Sequence, residues 1–156
     1  MGANSNQIVY GGEIMIFLNP TGTTSNGSYP AAFSTSAKLT VNLGTREISS
    51  KDSGDWKEFA GAKFEWDANS EHLMSLAGLT GNTLSTKQVY TAFLTKTPIF
   101  LAMASTTGTS PSWTMASSKI NLSGAALITS MDLNASDNDN ATYSISLKGS
   151  GTLSIS

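Results

Sequence analysis

A period of two constrains this chain more than any other feature. In Ala37-Lys38-Leu39-Thr40-Val41-Asn42-Leu43 the odd positions are apolar and the even ones polar. The stretches AKFEWDA (Ala62 to Ala68) and ATYSISLK (Ala141 to Lys148) repeat the alternation. Successive side chains of a β-strand point to opposite faces. Each stretch therefore predicts a strand with one face on a core and the other toward solvent or a polar partner. By this rule Phe64 and Trp66 both face the core. Ile120, Leu122, Gly124, Ala126 and Ile128 also fall on one face of a strand within 120–133. Two segments, IMIFL (Ile14 to Leu18) and IFLAM (Ile99 to Met103), are unbroken apolar runs and predict strands buried on both sides.

Turn chemistry divides these segments. Asn19-Pro20 opens a loop rich in Gly, Thr, Ser and Asn that runs to about Tyr29. Ser53-Gly54, Thr107-Gly108 and the run SDNDN from Ser136 to Asn140 are further breaks. A helix interrupts the strands. Ser85-Thr86-Lys87-Gln88 has the form of a capping box, with Ser85 as N-cap and Gln88 at N3. Val89, Ala92 and Phe93 then share one helical face, and Pro98 stops the helix. The expectation is an all-β fold: a β-sandwich or partly closed barrel of about 6–8 mostly antiparallel strands with one flanking α-helix over about 86–96. A length of 156 residues suits a single domain, 1–156.

Composition narrows the chemistry. The chain has no cysteine, which removes disulfides, thiolate metal sites and cysteine nucleophiles. A net charge of −2 and a single arginine, Arg46, give no basic field for holding nucleic acid. Met1 is followed by Gly-Ala-Asn-Ser-Asn, so no signal peptide is expected. The longest apolar stretch, Ile99 to Ala104, is far too short to span a membrane as a helix. His72 is the only histidine and is expected at the surface or in a turn. The stretch Asp132 to Asp139 places oxygen ligands at alternate positions, as a calcium loop does. Asp137 stands where that loop needs glycine and Tyr143 where it needs glutamate, so a hairpin turn is expected there. No phosphate-binding glycine loop occurs. No enzymatic activity, cofactor or metal is expected.

Charged residues make up 13% of the chain, against about 25% in a typical domain. Yet SSKDSGDWKEFAGAKFEWD (Ser49 to Asp67) gathers three lysines, three aspartates, two glutamates and two tryptophans. It admits three readings: a catalytic or metal site, a binding surface, or a contact with another subunit. Glu65 and Asp67 alternate with Lys63 on the polar face of a strand, where nothing desolvates them as a catalytic acid requires. Trp56 lies between Asp55 and Lys57 in a segment without strand alternation. A tryptophan on a charged loop is a plausible interface anchor. The exposed aromatics also leave open an all-β adhesion or carbohydrate-binding module, with Trp56, Trp66 and Trp113 as the candidate platform.

The segment KDSGDWKE (Lys51 to Glu58), followed by Gly61 and AKFEWDA, resembles the major tail protein, or tail tube protein, of long-tailed bacteriophages. GGEIMIFLN (Gly11 to Asn19), FSTSAKLTVNLGTREISSKDSG (Phe33 to Gly54) and MDLNASDNDNATYSISLKGSGTLSI (Met131 to Ile155) resemble the same family in the same order. The resemblance implies a structural subunit of the virion tail, made in the host cytoplasm. It implies assembly into hexameric rings that stack into a conduit for DNA, with tape measure and tail terminator or baseplate proteins as further partners. DNA would pass transiently and without sequence-specific contact, and no membrane would be involved. The long loops Asn19 to Tyr29 and Arg46 to Ala60 would then reach neighbouring copies. Lys51, Asp52, Asp55, Trp56, Lys57 and Glu58 are the interface candidates, with Glu65 and Asp67 as candidate lumen-facing acids.

Overall fold

The structure, a computed structural model, describes residues 9–26, 29–31, 33–75, 83–109, 112–116 and 119–156. After a short 3-10 turn at Gly11–Glu13, the elements are β1 (Ile14–Asn19), β2 (Tyr29–Pro30), β3 (Ser34–Glu47) and β4 (Phe59–Leu73). Helix α1 (Thr86–Leu94) follows, and then β5 (Ile99–Thr109), β6 (Ser112–Met115), β7 (Asn121–Asn134) and β8 (Thr142–Ile155). The eight strands form one antiparallel sheet in the order β2-β1-β5-β7-β8-β4-β3, with β6 paired to β5. The all-β reading with one helix holds.

The sheet curls around its main core. Ile16 and Leu18 of β1, Leu101 of β5, Ile128 of β7, Ile145 and Leu147 of β8, and Trp66 and Ala68 of β4 form one buried cluster. Ala37 and Leu39 of β3 pack against the same cluster, so β3 returns toward β1 although the two strands are not paired. A narrow gap lined by Ile14, Met15, Ser36, Ala37 and Met103 marks where the barrel stays open. On the other face of β1 and β5, Phe17, Phe100, Ala102 and Ala104 form a second cluster with Met15 and Met115 beside it. Both strands are therefore buried on two sides, as their unbroken apolar runs require.

Helix α1 is set as its sequence dictates. Ser85 Oγ accepts from the Gln88 amide at 3.3 Å, and Gln88 Oε1 accepts from the Ser85 amide at 2.8 Å. This satisfies two of the amide groups that a helix start leaves without partners. Val89 and Ala92 are buried in the main core and Phe93 packs at its edge. The helix ends at Leu94, slightly before the expected 96, because Lys96 turns into the left-handed region at φ 58°.

His72 corrects an expectation. It is fully buried, not in a turn or at the surface. Strand β4 runs on past Asp67, and Trp66, Ala68, Ser70 and His72 all point inward. The period of two continues there in polar letters, which hides the strand from a hydrophobic reading. His72 Nε2 lies 2.8 Å from Ser70 Oγ, and its ring stacks on Tyr143 at 4.9 Å between centroids.

Burial pushes the Tyr143 phenol from 10.0 up to about 12. Above the ordinary phenol pKa the unfolded chain sheds this proton while the folded chain keeps it. Stability is therefore lost as pH rises from 10 toward 12, by on the order of 2–3 kcal/mol. Urea titrations across that window should show the slope, and Tyr143→Phe should flatten it. An unchanged slope in the variant would place the alkaline loss elsewhere.

Candidate functional site

Strands β3 and β4 are longer than the alternation alone suggests. The expected loop from Arg46 to Ala60 contracts to residues 48–58, and the rest is paired strand. β4 pairs with β8 only from Leu73 to Asp67. Beyond Asp67, Phe59 to Trp66 pair with β3 alone. The result is a two-stranded ribbon that projects from the sheet over about 26 Å of strand.

One face of this ribbon carries large apolar side chains that nothing covers, with Glu47 at its outer end. The register sets Val41 opposite Trp66, Leu43 opposite Phe64, and Glu47 opposite Phe59. These positions continue the core-facing side of β3 and β4, but the body of the protein ends beneath them. Trp66 is 3% exposed, whereas Phe64, two residues on, is 72% exposed. The expectation that Phe64 packs in the core is therefore wrong, although its face is the expected one: the ribbon has left the core by then. Val41, Leu43 and Phe59 are exposed with it. The shift at Leu43/Thr45 puts an extra residue on β4 and keeps Phe59 on the same side as Phe64.

The opposite face is polar. Asn42 pairs with Glu65, Thr40 with Asp67, Lys38 with Asn69 and Ser36 with Glu71. On β8, Ser144, Ser146 and Lys148 continue it. Lys148 Nζ sits 3.4 Å from Glu65 Oε2, and Ser146 Oγ donates to Asn69 Oδ1 at 2.7 Å. Glu65 is exposed and Asp67 half-buried.

The loop at the tip is folded on itself. The Glu58 amide donates to Ser49 Oγ at 2.8 Å and the Ile48 amide to the Glu58 carbonyl at 2.9 Å, which closes the neck. Within the loop, the Ser50 amide donates to Ser53 Oγ at 3.0 Å. Gly54 takes φ 64°, a left-handed position that glycine occupies without cost. Lys51, Asp52, Asp55, Trp56, Lys57 and Glu58 are all exposed, and Trp56 is 83% exposed. Lys57 Nζ lies 3.6 Å from Glu47 Oε2, an exposed pair that adds little stability. The structure thus brings the six loop residues together at one end of the apolar face, and puts Glu65 and Asp67 on the other face.

The loop after Asn19 behaves differently. Asn19 is buried, and its Nδ2 donates to the Thr24 and Asn26 carbonyls at 3.0 and 2.9 Å, tying the loop back to β1. Asp132 to Asn134 end β7 and the following residues turn into β8, with Asn138 at φ 62°. Among the described residues no group of His, Asp and Glu is arranged to hold a metal ion.

Sequence reasoning missed the extent of the apolar face. Phe59 belongs to it, and the bulge that brings Phe59 round breaks the period of two, so the alternation gives no signal for it. Val41 and Leu43 lie on the expected face but have no core beneath them. Trp113 lies half-buried on β6, away from the ribbon.

The family profile described as phage tail tube protein matches residues 12–155. No curated protein matches the chain. Among solved structures, a chain from the tail of an empty gene transfer agent particle with C6 symmetry superposes with a TM-score of 0.71 at 19% identity, covering 96% of this chain and 99% of that one. The SPP1 tail tube superposes with a TM-score of 0.66 at 12% identity, covering 95% of this chain and 78% of that one. A chain of the sheath-tube complex of PVC, an extracellular contractile injection system, reaches 0.62 at 10% identity, covering 99% of each chain.

Proposed function

The chain belongs to the phage tail tube protein family, and from that premise we propose that it is a structural subunit, not an enzyme, that polymerises with copies of itself into the tube of a virion tail. The observation that carries this reading is the ribbon. A two-stranded ribbon is marginal in water on its own. This one nevertheless presents Val41, Leu43, Phe59 and Phe64 to solvent on one side. A contiguous apolar surface of that kind calls for a partner. With 13% charged residues, the chain has little charge to repel its own copies.

A head-to-tail contact closes into a ring when its rotation permits and otherwise extends as a filament. Rings of six stacked along an axis fit the C6 symmetry of the similar gene transfer agent tail. Trp56 anchors the contact, and the mixed charges of Lys51, Asp52, Asp55, Lys57 and Glu58 fix its register. Tape measure and tail terminator or baseplate proteins are the further partners, and synthesis takes place in the host cytoplasm. Trp56→Ala is expected to leave the circular dichroism of the monomer unchanged and to raise the critical concentration for polymerisation by about tenfold or more. Tubes forming at the wild-type concentration would remove Trp56 from the interface.

The polar face that carries Glu65 and Asp67 would line the lumen. Lys38, Lys63 and Lys148 stand there against Glu65, Asp67 and Glu71, which leaves it close to neutral. Such a wall does not hold a polyanion by its phosphates. A Glu65→Lys, Asp67→Lys double variant should still form tubes, and virions built from it should eject DNA more slowly, most of all at low salt. Wild-type ejection at low salt would place these residues outside the lumen.

A further inference from the structure

The ribbon parts from the sheet at one point. Asp67 opposite Lys148 is the last rung between β4 and β8. One residue further along each strand, beyond the last paired rung, the Trp66 side chain lies against Gly149. The indole lies on Gly149 so closely that a Cβ there would clash with its Cε2, Cδ2 and Nε1, and at Gly124 of β7 a Cβ would stand 2.8 Å from Trp66 Cζ2. Trp66 Nε1 donates to the Gly151 carbonyl at 3.0 Å. Gly151 sits at φ 88° where β8 carries extra residues opposite Ser123–Ala125, and this bulge presents its carbonyl to the indole. Three glycines on two strands thus accept one side chain. Outward of Trp66, the large apolar residues on that face are exposed. The other tie at the fork, Lys148 to Glu65, is an exposed ion pair and holds little.

We propose that Trp66 is the latch that sets the direction of the ribbon, and so is a positioning residue for assembly. It is buried and touches no neighbouring copy; it aims Phe64, Phe59 and Trp56, which do. The proposal rests on the ribbon being the assembly arm. A free two-stranded ribbon twists and swings. If only a fraction of copies hold the competent direction, apparent affinity falls by that fraction, whereas a latched arm loses less entropy on docking.

The chain has no cysteine, so two can be placed for spin labels at Asp52→Cys on the tip and Lys87→Cys on the helix. Wild-type monomer should give one narrow distance distribution. Trp66→Phe removes the indole donor and part of the ring, and should broaden that distribution with unchanged circular dichroism. Without the labels, the same variant should raise the critical concentration by about tenfold. A narrow distribution in the variant, or a broad one with wild-type growth, overturns the proposal. So does loss of the β-sheet signal, which would make Trp66 a core residue and nothing more. Failure of the arm itself is read separately: Trp56→Ala and Phe64→Asp would then both polymerise normally, whatever Trp66→Phe does to the distances.

Discussion

Phe64→Asp is expected to yield a folded monomer that does not polymerise. At 72% exposure Phe64 contributes little to the stability of the isolated chain. An exposed substitution of this kind usually changes folding free energy within about 0.5 kcal/mol. In the assembled tube the same position would be covered by a neighbouring copy, and a carboxylate would be buried there without a partner. Leaving a charge unpaired in an apolar contact costs about 3–5 kcal/mol. That corresponds to at least a hundredfold rise in critical concentration. Sedimentation across a concentration series measures it, with thermal melting as the control. A variant that polymerises like wild type would mean that this face stays in solvent. A variant that fails to fold would mean that Phe64 packs on the body after all.

Gly149→Ala is expected to destabilise the monomer, and its sign is the informative part. In a strand with nothing above it, alanine for glycine stabilises by roughly 0.5–1 kcal/mol. Here the new methyl falls on the Trp66 indole, whose far edge is already against Gly124. The ring cannot shift toward Gly124, so the strands must part or Trp66 must leave its hydrogen bond to Gly151. Overpacking of this kind costs about 1–3 kcal/mol, a drop in Tm of roughly 3–10 °C for a chain of this size. Combining Gly149→Ala with Trp66→Phe should cost less than the two single changes added together, because the collision partner has shrunk. A Tm equal to or above wild type for Gly149→Ala would show that the indole does not rest there.

Where the alternation had apolar letters, the strands were legible in the sequence. The core faces of β7 and β8, the doubly buried β1 and β5, and the capped helix all follow from period and turn chemistry. The reading failed where the physics left the alphabet of hydrophobicity. His72 and Ser70 occupy inward positions of β4, but as polar residues they gave no signal of burial. Phe64 has the right face and no core under it, because periodicity gives the side of a strand and not where the neighbouring strand ends. The fork was partly legible: Gly124, Gly149 and Gly151 lie within strand patterns, where glycine often marks the close approach of another group. Which group approaches them depends on the contact of Trp66 with Gly149, far apart in sequence, and no local pattern encodes it.

Assembly of this chain with its own copies into a tube can be watched directly. Purified protein should be concentrated step by step and imaged by negative-stain electron microscopy, with sedimentation alongside. Hollow tubes of stacked sixfold rings are expected above a sharp critical concentration, and none in Phe64→Asp under the same conditions. A chain that stays monomeric at every concentration, with neither rings nor tubes in the images, would contradict assembly into a tube.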